Sequence, residues 1–164
     1  MRTFGTALAL AVSASLALAG EAGPVTVIDG DTIEVGGRSV ELWGIDAPEM
    51  GQLCRYGDTE SDCGVLARAA LLDLVAGARV DCQRVAYVVE GEGAVYVTCR
   101  ADGYDLAEGM AYTGWALADQ TRTDRYLRWQ RDAEAKRRGL WRFEFVPPEA
   151  WRAGTRLGPA GTRR

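Results

Sequence analysis

Two short acidic motifs carry what chemistry this chain can do. Asp29-Gly30-Asp31-Thr32 is followed, about 15 residues on, by Asp46-Ala47-Pro48-Glu49. Both lie where β-favouring stretches end, and an antiparallel sheet brings such ends side by side. Asp31, Asp46 and Glu49 are therefore expected to converge. Converging carboxylates repel one another unless a proton or a hard cation sits between them, and such a cation takes oxygen ligands. The Asp31, Asp46 and Glu49 side chains would offer such an ion hard oxygen donors. Asp29 is one residue out of register and reads as a turn residue. Taken singly, Asp-Gly and Asp-Ala-Pro-Glu are also ordinary turn and helix-cap chemistry.

The elements that must position these groups follow in chain order. Pro24 to Ile28, Thr32 to Val35 and Arg38 to Ile45 read as three strands, the last two joined by a tight turn at Gly36-Gly37. Met50 to Gly64 reads as a loop. Val65 to Ala76 has a largely apolar helical face and stops at Gly77. Arg79 to Val89 and Ala94 to Arg100 are two further strands around a Glu90-Gly91-Glu92-Gly93 turn. Asp105 caps a second helix that ends near Thr113, and a third runs from about Asp124 to Arg138. Three strands, a helix, two strands and two helices describe an α+β chain built on a five-stranded OB-type barrel.

The chain has 164 residues, 48% of them hydrophobic and 26% charged, which is globular composition for one domain. Arg2, the apolar run Ala7 to Leu18 and the small-x-small site Ala17-Leu18-Ala19 predict a signal peptide over 1–19. About 12 apolar residues are too few to span a bilayer. The expected destination is the periplasm or the medium. The domain then occupies 20–152, and the Gly/Pro/Arg-rich tail 153–164 reads as disordered. Without residues 1–19 the chain carries 18 Lys+Arg against 23 Asp+Glu, so nothing in its overall charge attracts a polyanion. There is no histidine, which excludes His-based triads, His-dependent nuclease chemistry and His metal ligands. Cys54, Cys63, Cys82 and Cys99 form an even set in an exported chain and read as disulfides. Of the three pairings, Cys54–Cys63 with Cys82–Cys99 is favoured: the first closes a loop and the second ties neighbouring strands. The spacings do not suit zinc.

Ile28-Asp29-Gly30-Asp31-Thr32 and Gly44-Ile45-Asp46-Ala47-Pro48-Glu49 resemble the two signatures of the thermonuclease (staphylococcal nuclease-like) family, and the resemblance extends to Trp141 and beyond. It implies a Ca²⁺-dependent hydrolase of DNA or RNA phosphodiesters. Asp31, Asp46 and the Ala47 carbonyl would hold the ion, and Glu49 would act as general base or orient the attacking water. Single-stranded nucleic acid is the expected partner and a monomer the expected state.

Two positions depart from the family pattern. Family members place one phosphate-gripping arginine five residues before the second-cluster aspartate, where this chain has Glu41. The other closes an Asp-x-Tyr-Gly-Arg turn, and Ala94 stands in its place. Losing one such transition-state contact typically costs about 10²–10³ in rate. The resemblance therefore implies absent or weak catalysis, and a metal- or ligand-binding module derived from the nuclease fold. The alternative is an active nuclease with relocated arginines. Of the strand arginines that could serve, Arg38 has the wrong parity relative to Glu41, Arg100 is about 20 Å along the strand from Ala94, and Arg84 has no assignable place. Glu41 reads either as a further cation ligand or as a surface residue. A third reading is a disulfide-held envelope protein whose carboxylates serve only turns. Trp115 and Trp141 read as packing residues, while Tyr96 and Tyr104 are placed where a base could stack.

Overall fold

The computed structural model describes residues 21–23, 25–85 and 94–159. The expected leader at 1–19, the far half of the fourth expected strand with its turn at 86–93, and positions 160–164 lie outside them. The OB-type sheet is present as a curled half-barrel. Its strands are β1 (Glu21–Gly23), β2 (Thr26–Val27), β3 (Thr32–Val35), β4 (Arg38–Leu42), β8 (Val80–Arg84), β9 (Tyr96–Ala101) and β10 (Tyr104–Asp105), and two short pairs lie beside it, β5 (Ile45–Asp46) with β11 (Leu117–Ala118) and β6 (Leu53–Tyr56) with β7 (Thr59–Asp62). The order across the main sheet is β1-β8-β9-β4-β3-β2, with β10 paired to β9. β4 and β9 run parallel and set Glu41 opposite Tyr96.

The alternation in β4 places Val40 and Leu42 inward and Ser39 and Glu41 outward. The inward side chains join Ile33, Val80 and Val97 under α1 (Cys63–Val75) and α2 (Leu106–Thr113), which contribute Ala67, Leu71, Leu106 and Met110. Burying each large aliphatic side chain stabilises by about 1.5–3 kcal/mol. α1 begins at Asp62, whose carboxylate accepts from the Val65 amide at 3.0 Å. Asp105 caps α2 as expected, accepting from the Glu108 amide at 3.2 Å.

The third expected strand is two. Gly44 has φ +83°, which L side chains avoid, and a Cβ there would lie 2.5 Å from Thr123 Cγ2. The chain turns at Gly44, so that Ile45 enters the core and Asp46 pairs with Leu117. The expected loop over 50–64 holds a hairpin instead. β6 and β7 pair around a Gly57-Asp58 turn, with Cys54 opposite Ser61. Both expected disulfides are present, Cys54–Cys63 and Cys82–Cys99, the second between directly opposed residues of β8 and β9.

The third helix is shorter than expected. α3 covers Leu127–Ala135, and the Lys136-Arg137-Arg138 run leaves it. Lys136 and Arg138 both pair with Asp132, and Arg138 stacks on Tyr112. A 3₁₀ turn (Gly139–Arg142) follows, then α4 (Pro148–Arg152), an element not expected from the sequence. Pro148 sits in its first turn, where a missing amide proton costs nothing. Residues 153–159 continue past α4, and the Gly158 carbonyl accepts from the buried Arg55. Trp115 and Trp141 are packing residues, edge or tilted against Phe143 and Phe145. No described helix is long and apolar enough to cross a membrane.

Candidate active site

The turn before β3 builds one wall of the site. Asp29 Oδ1 accepts from the amides of Asp31 (3.1 Å) and Thr32 (2.7 Å), which is the turn role expected of it. Gly30 lets this turn touch the second acidic motif. A Cβ at residue 30 would lie 2.6 Å from Ala47 Cβ and 2.8 Å from Ala67 Cβ. Across that contact the Ala47 amide donates to Asp31 Oδ2 at 2.7 Å, and Thr32 Oγ1 bonds Asp31 Oδ1 at 3.2 Å. The two motifs are thus joined directly.

The second wall is the turn at Glu49. Its amide donates to Gln52 Oε1 (3.2 Å) and its carbonyl accepts from the Gln52 amide (2.9 Å). Gln52 is fully buried and donates through Nε2 to the Val146 carbonyl at 2.7 Å. Val146 leads into α4. Gln52 therefore fixes the Glu49 turn against the start of the helix that ends in Arg152.

These walls enclose a cavity of about 450 Å³ that includes Asp31, Asp46, Glu49, Glu41 and Ala94 in its lining. Asp31, Asp46 and Glu49, expected from their spacing to converge, meet here together with Glu41 and Ala94, the two positions where the resemblance implies arginines. That spacing does not place two other members of the lining, Arg122 and Arg152. Arg152 Nη1 donates to Asp46 Oδ1 and to Glu49 Oε1, each at 2.8 Å, and Nη2 donates to Asp46 Oδ2 at 3.0 Å. Such bidentate, charge-assisted contacts are roughly twice as strong as neutral hydrogen bonds. They raise the pKa of the guanidinium further, through Asp46 first.

Arg122 comes from the loop after β11. Its Nε pairs with Asp119 Oδ2 at 2.8 Å, and its Nη2 donates to the Tyr96 hydroxyl at 2.6 Å. The guanidinium lies 4.2 Å from the Tyr96 ring centroid, and Trp43 packs edge-on against the same ring. The Tyr96 face expected to take a base is thus occupied. Tyr104, the other stacking candidate, does not line the cavity. Tyr96 also hydrogen-bonds the Glu41 carboxylate. A chain of contacts therefore runs from Glu41 through Tyr96 to Arg122 and Asp119. Glu41 occupies the position of an expected arginine, yet it is tied through Tyr96 to a guanidinium from elsewhere in the chain. Arg38, Arg84 and Arg100, the strand arginines, do not line the cavity.

The electrostatics follow from this arrangement. Six carboxylates line the cavity, with Asp29 and Asp119 added to the four named above, against two guanidiniums. Asp31 is pushed well above the ordinary carboxylate range, mainly because its carboxyl is shut away from water, with Asp29 and Asp46 adding repulsion. Glu41 is raised as well, first by burial, and the Tyr96 hydrogen bond and Arg122 oppose the shift.

The sequence carries only a faint signal for these two arginines. Pro147-Pro148-Glu149-Ala150-Trp151-Arg152 begins as helices do, with proline and then an acid. Nothing local announces that Arg122 turns inward.

A family described as staphylococcal nuclease homologue matches this chain over residues 39–143. The chain is also similar to the succinoglycan biosynthesis protein ExoI of Rhizobium meliloti (strain 1021). The two are 34% identical over 151 residues, which cover 87% of this chain and 77% of the relative.

Proposed function

Because the chain belongs to the staphylococcal nuclease homologue family, we propose that its acidic cavity hydrolyses phosphodiesters of single-stranded DNA or RNA, with Arg122 and Arg152 in place of the arginines missing at positions 41 and 94. One observation carries this reading: two guanidiniums from the C-terminal half line the same cavity as Asp31, Asp46 and Glu49. Attack at phosphorus gathers negative charge on the non-bridging oxygens. Planar, permanently charged guanidiniums held in advance are suited to receive it. Glu49 meets Arg152 through Oε1 alone, which leaves Oε2 to orient a water for in-line attack. The Glu41–Tyr96 pair holds Arg122, and Gln52 holds the base of α4. Export is part of the proposal, supported by the leader sequence and by two disulfides suited to an oxidising compartment.

Calcium, which the family resemblance implies, does not fit these donors as they stand. Both Asp46 oxygens and one Glu49 oxygen are engaged by Arg152, and both Asp31 oxygens are engaged by Thr32 and Ala47. The proposed hydrolysis therefore runs through the chain's own groups.

The deciding experiment is hydrolysis of denatured DNA and of RNA by purified protein, in Ca²⁺ and in EDTA. Cleavage that falls by about 10²–10³ in Arg122→Gln and in Arg152→Gln, and is lost in Glu49→Gln, supports the assignment. Absence of cleavage by the parent protein in every buffer overturns it. A second reading, binding without turnover, is favoured by the ion pairs that already hold both guanidiniums. In that case the double variant Glu41→Arg/Ala94→Arg gains cleavage that the parent lacks.

A further inference from the structure

We propose that Arg152 is the built-in cation of this cavity: it holds the Asp46 and Glu49 carboxylates in place of a divalent ion, so that a phosphodiester binds here without one.

The first support is stoichiometric. One guanidinium engages both oxygens of Asp46 and one of Glu49, all within 3.0 Å. These are the hard oxygens that a divalent ion in this cavity would need, and an ion of that kind seeks six to eight of them. The remaining acid at the junction, Asp31, is likewise engaged through both oxygens. An incoming ion would have to displace Arg152 before it could collect its ligands.

The second support is architectural. Arg152 reaches the cavity at the end of α4, more than 100 residues from its partners in the chain. The buried Gln52 bridge ties the segment entering α4 to the Glu49 turn. Pro148, in the first turn of the helix, is itself fully buried. The cation is therefore delivered by a docked element and not by a free tail.

The third support is chemical. A guanidinium is planar, stays charged at any working pH and has five donors. It can hold two carboxylates and still line the cavity, as Arg152 does. A divalent ion plays those two parts at once in a metal-dependent phosphodiesterase, clamping carboxylates and neutralising a phosphate.

The inference rests on the phosphodiester reading for its ligand but not for its cation, and the experiment separates the two. Calcium is titrated calorimetrically into the full chain and into Arg152→Gln, with no nucleic acid present. Binding of labelled oligo-dT is measured separately in EDTA and in Ca²⁺, and circular dichroism verifies that the variant is folded. We expect the variant to bind Ca²⁺ at least tenfold more tightly than the parent. Oligo-dT should bind the parent equally well in EDTA and in Ca²⁺, whereas the variant should need Ca²⁺. Equal Ca²⁺ affinity in parent and variant, including no binding by either, overturns the inference. So does parental oligo-dT binding that EDTA abolishes. If oligo-dT binds neither protein in either buffer while the Ca²⁺ result is as expected, the phosphodiester reading fails and the built-in cation stands.

Discussion

Arg152 and Asp46 stand 106 residues apart in sequence and meet through two parallel hydrogen bonds of 2.8 and 3.0 Å. A fork of two N–H groups on two carboxylate oxygens fixes angle as well as distance, which an ammonium cannot do. Arg152→Lys should therefore keep the charge and lose the function. We expect kcat/KM on denatured DNA to fall at least tenfold. Near-parental activity in the lysine variant would show that charge alone suffices.

The Tyr96 hydroxyl lies between Glu41 and the guanidinium of Arg122. Tyr96→Phe removes that hydroxyl and keeps the ring under the cation. A hydrogen bond to a charged group contributes about 1.5–3 kcal/mol, so a loss of about tenfold or more is expected. It should appear mainly in kcat, because the charge remains present but loosely aimed. A rise in KM with kcat unchanged would place Arg122 in ground-state binding only.

Glu41 has a folded-state pKa above its ordinary 4.5, chiefly through burial. For an acid raised on folding, the favourable contribution is complete below the unfolded value and is lost as pH rises through the folded one. Glu41→Gln should accordingly melt higher than the parent at pH 7, by about 1–3 °C. The gap should close as pH falls below the ordinary value of 4.5. Melting curves across the acid and neutral range test this, and a gap independent of pH would assign the effect to packing.

Gln52 is a buried amide serving two distant backbone groups. Gln52→Ala leaves the Glu49 amide and the Val146 carbonyl unsatisfied, at about 1–3 kcal/mol each. We expect a large drop in melting temperature and loss of Arg152 registration, seen as activity falling further than stability explains at temperatures where the variant is folded. A variant as active as the parent per folded molecule would make Gln52 a purely structural residue.

Cys54 and Cys63 tie the β6–β7 hairpin to the first residue of α1 and are both fully buried. Their joint replacement by serine should cost about 2–4 kcal/mol. Chemical denaturation of parent and double variant measures the difference, and a change under about 0.5 kcal/mol would contradict the expectation.

Much of the acidic half of this site is legible in the amino-acid sequence, because turn and cap chemistry is local. Asp29 closes its turn onto Asp31 and Thr32 within three residues, and Asp105 caps α2 within three. Each disulfide joins cysteines of one neighbourhood of the chain, 9 and 17 residues apart. What the sequence hides depends on docking. Gly44 reads as one more residue of a strand, although its positive φ is what releases Asp46 toward the cavity. The Gly57-Asp58 turn is a local signal, but the length of the segment around it argues for a loop. Arg122 and Arg152 are hidden for a deeper reason. The strands of the resembling family point to replacement cations on strands, whereas these two arrive on a loop and a terminal helix. Their approach is set by tertiary contacts such as Gln52 with Val146, which no spacing rule encodes.

The late position of α4 also bears on how the molecule is made. Synthesis runs from the N-terminus, so the carboxylates at 29, 31, 46 and 49 emerge long before residue 152 exists. Until α4 docks, the half-built pocket is a crowded anionic hollow with no counter-ion from that helix. Assembly of the site is thus a late event in the life of the polypeptide, completed by the last helix the structure describes.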